Sequence, residues 1–370
     1  MNVPEPLPDA RVGPRTGGLP GAQSEALPEP HPRWDMQLRL TDWTHAVAAF
    51  GFTERQARFL VEVMIHGGVF VPRQYCTFAG IVHGQKTHNF LKKLVERGYA
   101  VPIQVGPLHR GRVFRVRFKP LYTAIEQTDN RHRKTASLGR MVERLMILDA
   151  VLADRTKTWL GTEHDKMAYC ARLPTPLPYD QRPQIVFGTP PDHTIRYFPD
   201  KLPIGIGRAG RDPVLLYLVT RPEPDDFRLF LGRHHEFLTH VYEWTIRVLV
   251  PQPFAPAITR FGHGAREELA WPISNATFEE LEWYFPERQR RLRARAGPPR
   301  LDDRYANDCL AFRSARFRTL FRLWQERGDR ALWNARSVTI KDALARGQGR
   351  VEFVRLSRQY LHLARLVGAA

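Results

Sequence analysis

The chain has 370 residues, 43% hydrophobic and 25% charged, a composition ordinary for a globular protein of two or three domains. Lys and Arg number 56 against 38 Asp and Glu, a formal net charge of +18. That excess favours a polyanionic partner, because each phosphate met by a cationic side chain releases condensed counterions. There is no run of about 18 apolar residues, so no membrane partner is expected.

Residues 1–33 hold eight prolines and no apolar signal-peptide core. They read as a disordered Pro/Gly-rich tail, and the cytoplasm is the expected location. Cys76, Cys170 and Cys309 are odd in number and form no CxxC pair. They are expected to be reduced thiols rather than a disulfide framework or a zinc site.

Residues 34–135 read as one DNA-binding domain. Thr41 to Phe50 suits a short helix capped by Thr41. Thr53-Glu54-Arg55-Gln56 is a capping box, and Phe59, Leu60, Val63 and Met64 follow at helical spacing. Gly67-Gly68 ends that helix, Val69 to Val71 is extended, and Pro72 suits the first turn of a second helix ending near Gly80. A third helix is predicted from Gln85 to Arg97, with Phe90, Leu91, Leu94 and Val95 as its buried stripe and Gly98 as its stop. Tyr99 to Val105 and Arg112 to Phe118 flank a Gly/Pro turn and read as a hairpin. In its second strand Phe114, Val116 and Phe118 share one face, and Arg115 and Arg117 the other. Three helices followed by a hairpin make a winged helix-turn-helix.

A helix is expected after Pro120, a basic linker over His132 to Leu138, and an amphipathic helix from Gly139 to Leu152. Residues 136–262 then read as an α/β domain, from the short apolar runs Ile185 to Phe187, Ile195 to Phe198, Val214 to Val219 and Ile246 to Val250. A helix from about Arg233 to Tyr242 lies between the last two. Residues 263–370 read as mostly helical and Arg-rich. The expected fold class is therefore α+β.

The third helix is the candidate recognition helix. Gln85, Lys86, Thr87, His88, Asn89, Lys92 and Lys93 occupy its first turn and outward face, where such helices meet base edges and phosphates. The hairpin adds His109, Arg110, Arg112, Arg115 and Arg117 as a basic wing. From Phe50 to Lys134 there are 15 Lys plus Arg against 5 Asp plus Glu, a local excess of 10. Double-stranded DNA is the partner this predicts, with dimerisation or protein binding left to the second domain. Winged helices also dock proteins, so an adaptor for protein or RNA is an alternative. A second basic stretch, Arg288, Arg290, Arg291, Arg293 and Arg295 with Arg313, Arg316 and Arg318, suits either phosphate contact or a solvated helix face.

Other motifs carry less. Gly205-Ile-Gly207-Arg-Ala-Gly210 fits GxGxxG but leads into a strand rather than a helix, so a hairpin turn is expected. His234, His235 and His240 lack a third ligand at zinc-like spacing. Glu163 and Asp200, at the ends of α/β elements, are the candidate catalytic carboxylates. They could hold Mg²⁺ for phosphodiester hydrolysis, the only reading that calls for a cofactor or metal.

Thr53-Glu-Arg-Gln-Ala-Arg-Phe-Leu60, Leu91-Lys-Lys-Leu-Val-Glu-Arg-Gly-Tyr99 and Pro199-Asp200 together resemble the replication-relaxation family of bacterial plasmids and mobile elements. The resemblance covers about Thr53 to Pro251. It implies a winged helix joined to a restriction-endonuclease-like domain, and a role in replication, transfer or transcription control. It makes Asp200 the first metal acid and Glu163 the acid on the preceding helix. The strand that should carry (Asp/Glu)-x-Lys reads Leu215-Leu-Tyr-Leu-Val-Thr220, so either the implied scaffold is degenerate and without activity, or there is no such scaffold.

Overall fold

In the computed structural model the described residues are 36–104, 112–189, 192–207, 210–294, 303–358 and 360, and they belong to one compact unit. The tail expected over residues 1–33, the hairpin turn with His109 and Arg110, and Arg295 lie outside them.

The first helix, α1 (Met36–Ala48), begins five residues before Thr41. Met36, Leu40, Trp43 and Val47 form one buried stripe at helical spacing, which draws the helix back and leaves Thr41 inside it rather than at its cap. α2 (Glu54–His66) starts at the expected box: Thr53 Oγ1 accepts from Gln56 N at 3.4 Å, and Gln56 Oε1 from Thr53 N at 3.2 Å. β1 (Val69–Phe70) leads into α3 (Pro72–Ala79), which Gly80 ends in the left-handed region at φ 64°. α4 (Gln85–Glu96), β2 (Ala100–Gln104), β3 (Arg112–Val116) and α5 (Lys119–Ala124) follow. The three strands pair antiparallel in the order β1-β3-β2, with Phe70 opposite Phe114.

Aromatic rings close the centre of this region. Tyr75 and Phe90 lie 4.2 Å apart between centroids, and Phe59 and Phe70 5.2 Å. β3 is covered on both faces, unlike a free wing strand. Val113 is buried against the helix α6 (Leu138–Ala153), which Ser137 caps.

Beyond α6 come β4 (Thr158–Leu160), α7 (Glu163–Ala171), β5 (Gln184–Thr189), β6 (Asp192–Tyr197), β7 (Ile204–Ile206) and β8 (Val214–Leu218). After them come α8 (Asp225–His240), β9 (Trp244–Val250), α9 (Ile258–Leu269), α10 (Asn275–Arg293), α11 (Asp303–Ala311), α12 (Ala315–Arg327), α13 (Arg330–Arg336), α14 (Thr339–Ala345) and β10 (Gly349–Arg355). A five-stranded mixed sheet runs β10-β9-β8-β7-β4, parallel across the first three strands and antiparallel across the rest. Its last-in-chain strand completes it from within a segment that the sequence reads as helical. β5 and β6 do not join this sheet. They form a separate hairpin on which Val186, Phe187 and Ile195 stay exposed.

All five residues of β8 are buried, as expected of a strand covered on both faces. Leu216 and Leu218 pack toward α6 with Leu145 and Val142, while Tyr217 meets Phe227, Phe230 and Phe261 of α8 and α9. Truncating Leu216 to alanine should cost about 2–5 kcal/mol. α6 is therefore a shared wall: it also packs on Val69, Val71 and Val113 of the small sheet and its flank. The turn between β4 and α7 also presses on α2, where a Cβ at Gly161 would overlap Ile65 and His66. A third cluster, from Phe278, Leu281, Phe285, Phe321 and Leu332, binds the C-terminal helices to Leu229 of α8. Among the described residues no helix is long and apolar enough to cross a membrane.

Candidate nucleic-acid interface

α4 splits its residues sharply. Phe90 and Leu94 go into the aromatic core, while Gln85, Lys86, His88, Asn89 and Lys92 are exposed. Gln85 Nε2 donates to Asn89 Oδ1 at 2.7 Å, and Lys92 Nζ stands 3.6 Å from Glu96 of its own helix. Both are i, i+4 pairs along the exposed surface of the helix.

Two residues expected on this face are elsewhere. Thr87 is fully buried, with Oγ1 3.3 Å from Cys76 Sγ, because position 87 lies on the α3 side of the helix, in line with the buried Phe90 one turn on and Leu94 two turns on. Lys93 bends back over the Phe52 ring, 5.5 Å from its centroid, and donates to the Gly51 carbonyl. It fastens α4 to the α1–α2 connection, as Arg97 does through the Phe50 carbonyl at 3.1 Å.

The hairpin divides likewise. Arg112 and Arg117 are exposed, whereas Arg115 is half-buried beneath the segment leading to α6 and donates to Thr135 Oγ1. Arg112 faces α4 across a groove that also holds His83, His88 and Lys92, with Phe114 and Tyr360 on its floor and walls. Next to the hairpin, Arg115, Arg117 and Lys119 share a shallow depression with Arg133 and Lys134. Sequence reasoning did not place Lys119, Arg133 and Lys134 there. The signal was the linker's own basic run, which became informative only once α6 was known to pack on β3.

Most of the described arginines in the second basic stretch serve packing. Arg290 and Arg291 both hold Glu287, whose carboxyl they bring down to about 2. Arg291 lies 4.1 Å above the Tyr305 ring and Arg288 4.4 Å above Phe321. Arg316 donates to the Trp271 carbonyl, and Arg318 to that of Arg313 at 2.9 Å.

The two candidate carboxylates each hold backbone. Glu163 Oε1 accepts from Tyr197 N at 3.1 Å, and Asp200 Oδ1 from Leu202 N at 3.3 Å. Asp200 Oδ2 stands 3.5 Å from Nε2 of the buried His234. A residue the sequence did not single out lies among them: Lys166 on α7, buried, with Nζ 5.3 Å from the Phe198 ring centroid. Burial brings its ammonium down to about 8, against the opposing pull of Asp200 and Asp165. Its only sequence signal was the Glu163-x-x-Lys166 spacing on one helix face. Among the described residues no group of three or more His, Cys, Asp or Glu is placed to hold a metal ion, and His240 is directed to the Thr175 carbonyl, away from His234. The GxGxxG segment connects antiparallel β7 to β8, the hairpin connection expected of it.

No family model matches the chain, and neither a curated protein nor a solved structure matches it.

Proposed function

We propose that the chain is a DNA-binding protein. In this reading α2, α3, α4 and the β2–β3 hairpin act as a winged helix, α4 lies in the major groove and the hairpin lies over phosphates. The observation that carries it is the exposed face of α4, where Gln85, Lys86, His88, Asn89 and Lys92 are left outward by a helix whose other side is locked into an aromatic core. Gln85 and Asn89 have the donor and acceptor pair that reads adenine. Lys86 and Lys92, with Arg112 and Arg117 of the hairpin, supply the backbone contacts. A place in the replication, transfer or transcription control of a plasmid or mobile element is proposed from the resemblance of Thr53 to Leu60, Leu91 to Tyr99 and Pro199-Asp200 alone.

Binding of the full chain to random duplex DNA over a salt series tests this. Affinity should fall steeply with salt. Lys86→Glu with Lys92→Glu should weaken binding at least about tenfold and flatten the slope by about one for each phosphate no longer neutralised. Both side chains are exposed, so the variant should fold normally. An unchanged slope in the folded double variant would remove α4 from the interface. Salt-insensitive or absent binding by the wild type would favour the protein-adaptor reading.

A further inference from the structure

A second basic feature lies away from α4. Between the end of α2, the start of α6 and the β6–β7 connection is a cleft of about 670 Å³. Arg131, Arg140, Arg144 and Lys201 line it, together with His66 and His132. Two carboxylates share the lining: Glu143 is held by Arg140 at 2.8 Å, and Asp200 accepts from Leu202 N at 3.3 Å. Among the described residues Arg131, Arg144 and Lys201 make no ion pair within 4 Å, although Asp200 pulls on Arg131 and Glu143 on Arg144 from farther off. Arg131 donates once, to the Lys201 carbonyl at 3.2 Å, and Arg144 once, to the Gly67 carbonyl at 3.5 Å. Most of the ten N–H donors of these two guanidiniums remain free.

The histidines supply an independent observation. Both are about 4% exposed, and each has a buried Nδ1 with no hydrogen-bond partner. His66 Nε2 lies 3.4 Å from Glu62 Oε2 and, against burial, helps hold that carboxyl below its usual range, which leaves Nδ1 as the unpartnered nitrogen. Buried imidazole nitrogens are rarely left so, because each forfeits its hydration.

The backbone around the cleft is fixed. Gly68, at φ 68°, allows the turn carrying Arg131 and His132 to press directly on the end of α2, where a Cβ would overlap the His132 carbonyl. Lys201 itself is held at φ 61°, a conformation uncommon for a lysine, which aims its carbonyl at Arg131. Thr135, Ala136 and Arg140 bring the N-terminal end of α6 to the same wall, so the helix dipole adds to the positive field.

We infer that this cleft binds a phosphate dianion, either inorganic phosphate or the terminal phosphate of a mononucleotide. Two planar guanidiniums, an ammonium and two imidazoles converging beside a helix N-terminus match a tetrahedral dianion better than a single carboxylate. The volume is that of a cleft able to take a whole nucleotide. Like charges crowd one another in it. Burial and the Arg144 charge bring Arg131 down to about 10, and burial with Arg131 and Arg144 pushes His132 well below its usual range. A bound dianion removes that repulsion. The site is separate from the α4 face, so its test does not depend on DNA binding.

The experiment is thermal unfolding and titration calorimetry of the full chain with inorganic phosphate, at ionic strength held constant with chloride. The expected result is saturable stabilisation by phosphate, abolished or weakened at least tenfold in Arg144→Gln and in Lys201→Gln, and retained in Lys86→Glu with Lys92→Glu. Both neutral variants relieve repulsion, so they should unfold no earlier than wild type without phosphate. Adenosine monophosphate then separates the sources: tighter binding than phosphate assigns a nucleotide, equal or weaker binding assigns free phosphate. No saturable effect, or the same effect in wild type and both cleft variants, overturns the site.

Discussion

His234 Nε2 stands 3.5 Å from Asp200 Oδ2, while its Nδ1 lies 2.9 Å from the Phe230 carbonyl oxygen. The carbonyl can only accept, so Nδ1 carries a proton. Burial lowers the His234 pKa more than Asp200 raises it, so the neutral ring turns a bare Nε2 toward the carboxylate. The β6–β7 connection thus meets α8 with two acceptors facing each other and no hydrogen bond between them.

From this geometry Asp200→Asn should be close to neutral in stability, within about 0.5 kcal/mol, because the amide donates to Nε2 and its oxygen still receives Leu202 N. Asp200→Ala should cost about 1–2 kcal/mol, since it leaves Leu202 N without its acceptor. Urea unfolding of the two variants at pH 7.5 checks this. Equal losses in both would mean that the carboxylate charge itself is needed, as it would be for an ion pair with a protonated His234.

His235, the next residue on α8, is buried with Nδ1 unpartnered, and burial together with the Arg327 charge brings it down to about 4. The unfolded chain binds this proton near pH 6.5, the folded one only near pH 4. The stability tied to the neutral ring is therefore full above pH 6.5 and falls away as pH drops toward 4, by about 3 kcal/mol over the window. His235→Gln should flatten the pH dependence of unfolding there by one proton. Parallel wild-type and variant curves between pH 7 and 4.5 would show that His235 is not held neutral.

These buried histidines show where sequence reasoning stops. The capping box at Thr53 and the stop at Gly80 are local signals, and local rules suffice for them; of the α4 stripe expected from Phe90, Leu91, Leu94 and Val95, Phe90 and Leu94 are buried, Leu91 is half-buried and Val95 is exposed. β10 was missed because Arg350 and Glu352 give Gly349 to Arg355 a charged look. Their partners, Thr245 at 2.9 Å and Arg247, sit about a hundred residues away on β9. β4 and β7, three residues each, are too short for any periodicity. The α4 face was legible in outline, but Thr87 and Lys93 were misplaced because their partners lie on α3 and before α2. The cleft was not legible at all: its cations lie at positions 131, 140, 144 and 201, and only the packing of α6 between the two sheets brings them together.

Tyr360 provides the last test, because it joins the far end of the described chain to the α4 groove. Its hydroxyl donates to Asp149 Oδ2 at 2.7 Å, and Asp149 also receives Arg73 through two bonds of 2.9 and 2.7 Å and Gln74 at 2.9 Å. The Arg73 guanidinium stands 5.0 Å from the Tyr360 ring centroid. Tyr360→Phe keeps the ring over Arg73 and removes one bond to a charged acceptor, so it should cost about 1.5–3 kcal/mol. Asp149→Ala takes the acceptor from the Arg73 cation and the phenol, while Gln74 keeps the Leu145 carbonyl at 3.0 Å, and should cost somewhat more, about 2–4 kcal/mol. Because the three donors share one acceptor, the two losses should not add: in the Asp149→Ala background Tyr360→Phe should cost little. DNA affinity separates support from contact. If Tyr360 only braces the groove, Tyr360→Phe lowers the unfolding midpoint and leaves the salt slope of DNA binding unchanged. A changed slope in a folded Tyr360→Phe protein would place the C-terminal segment at the DNA itself.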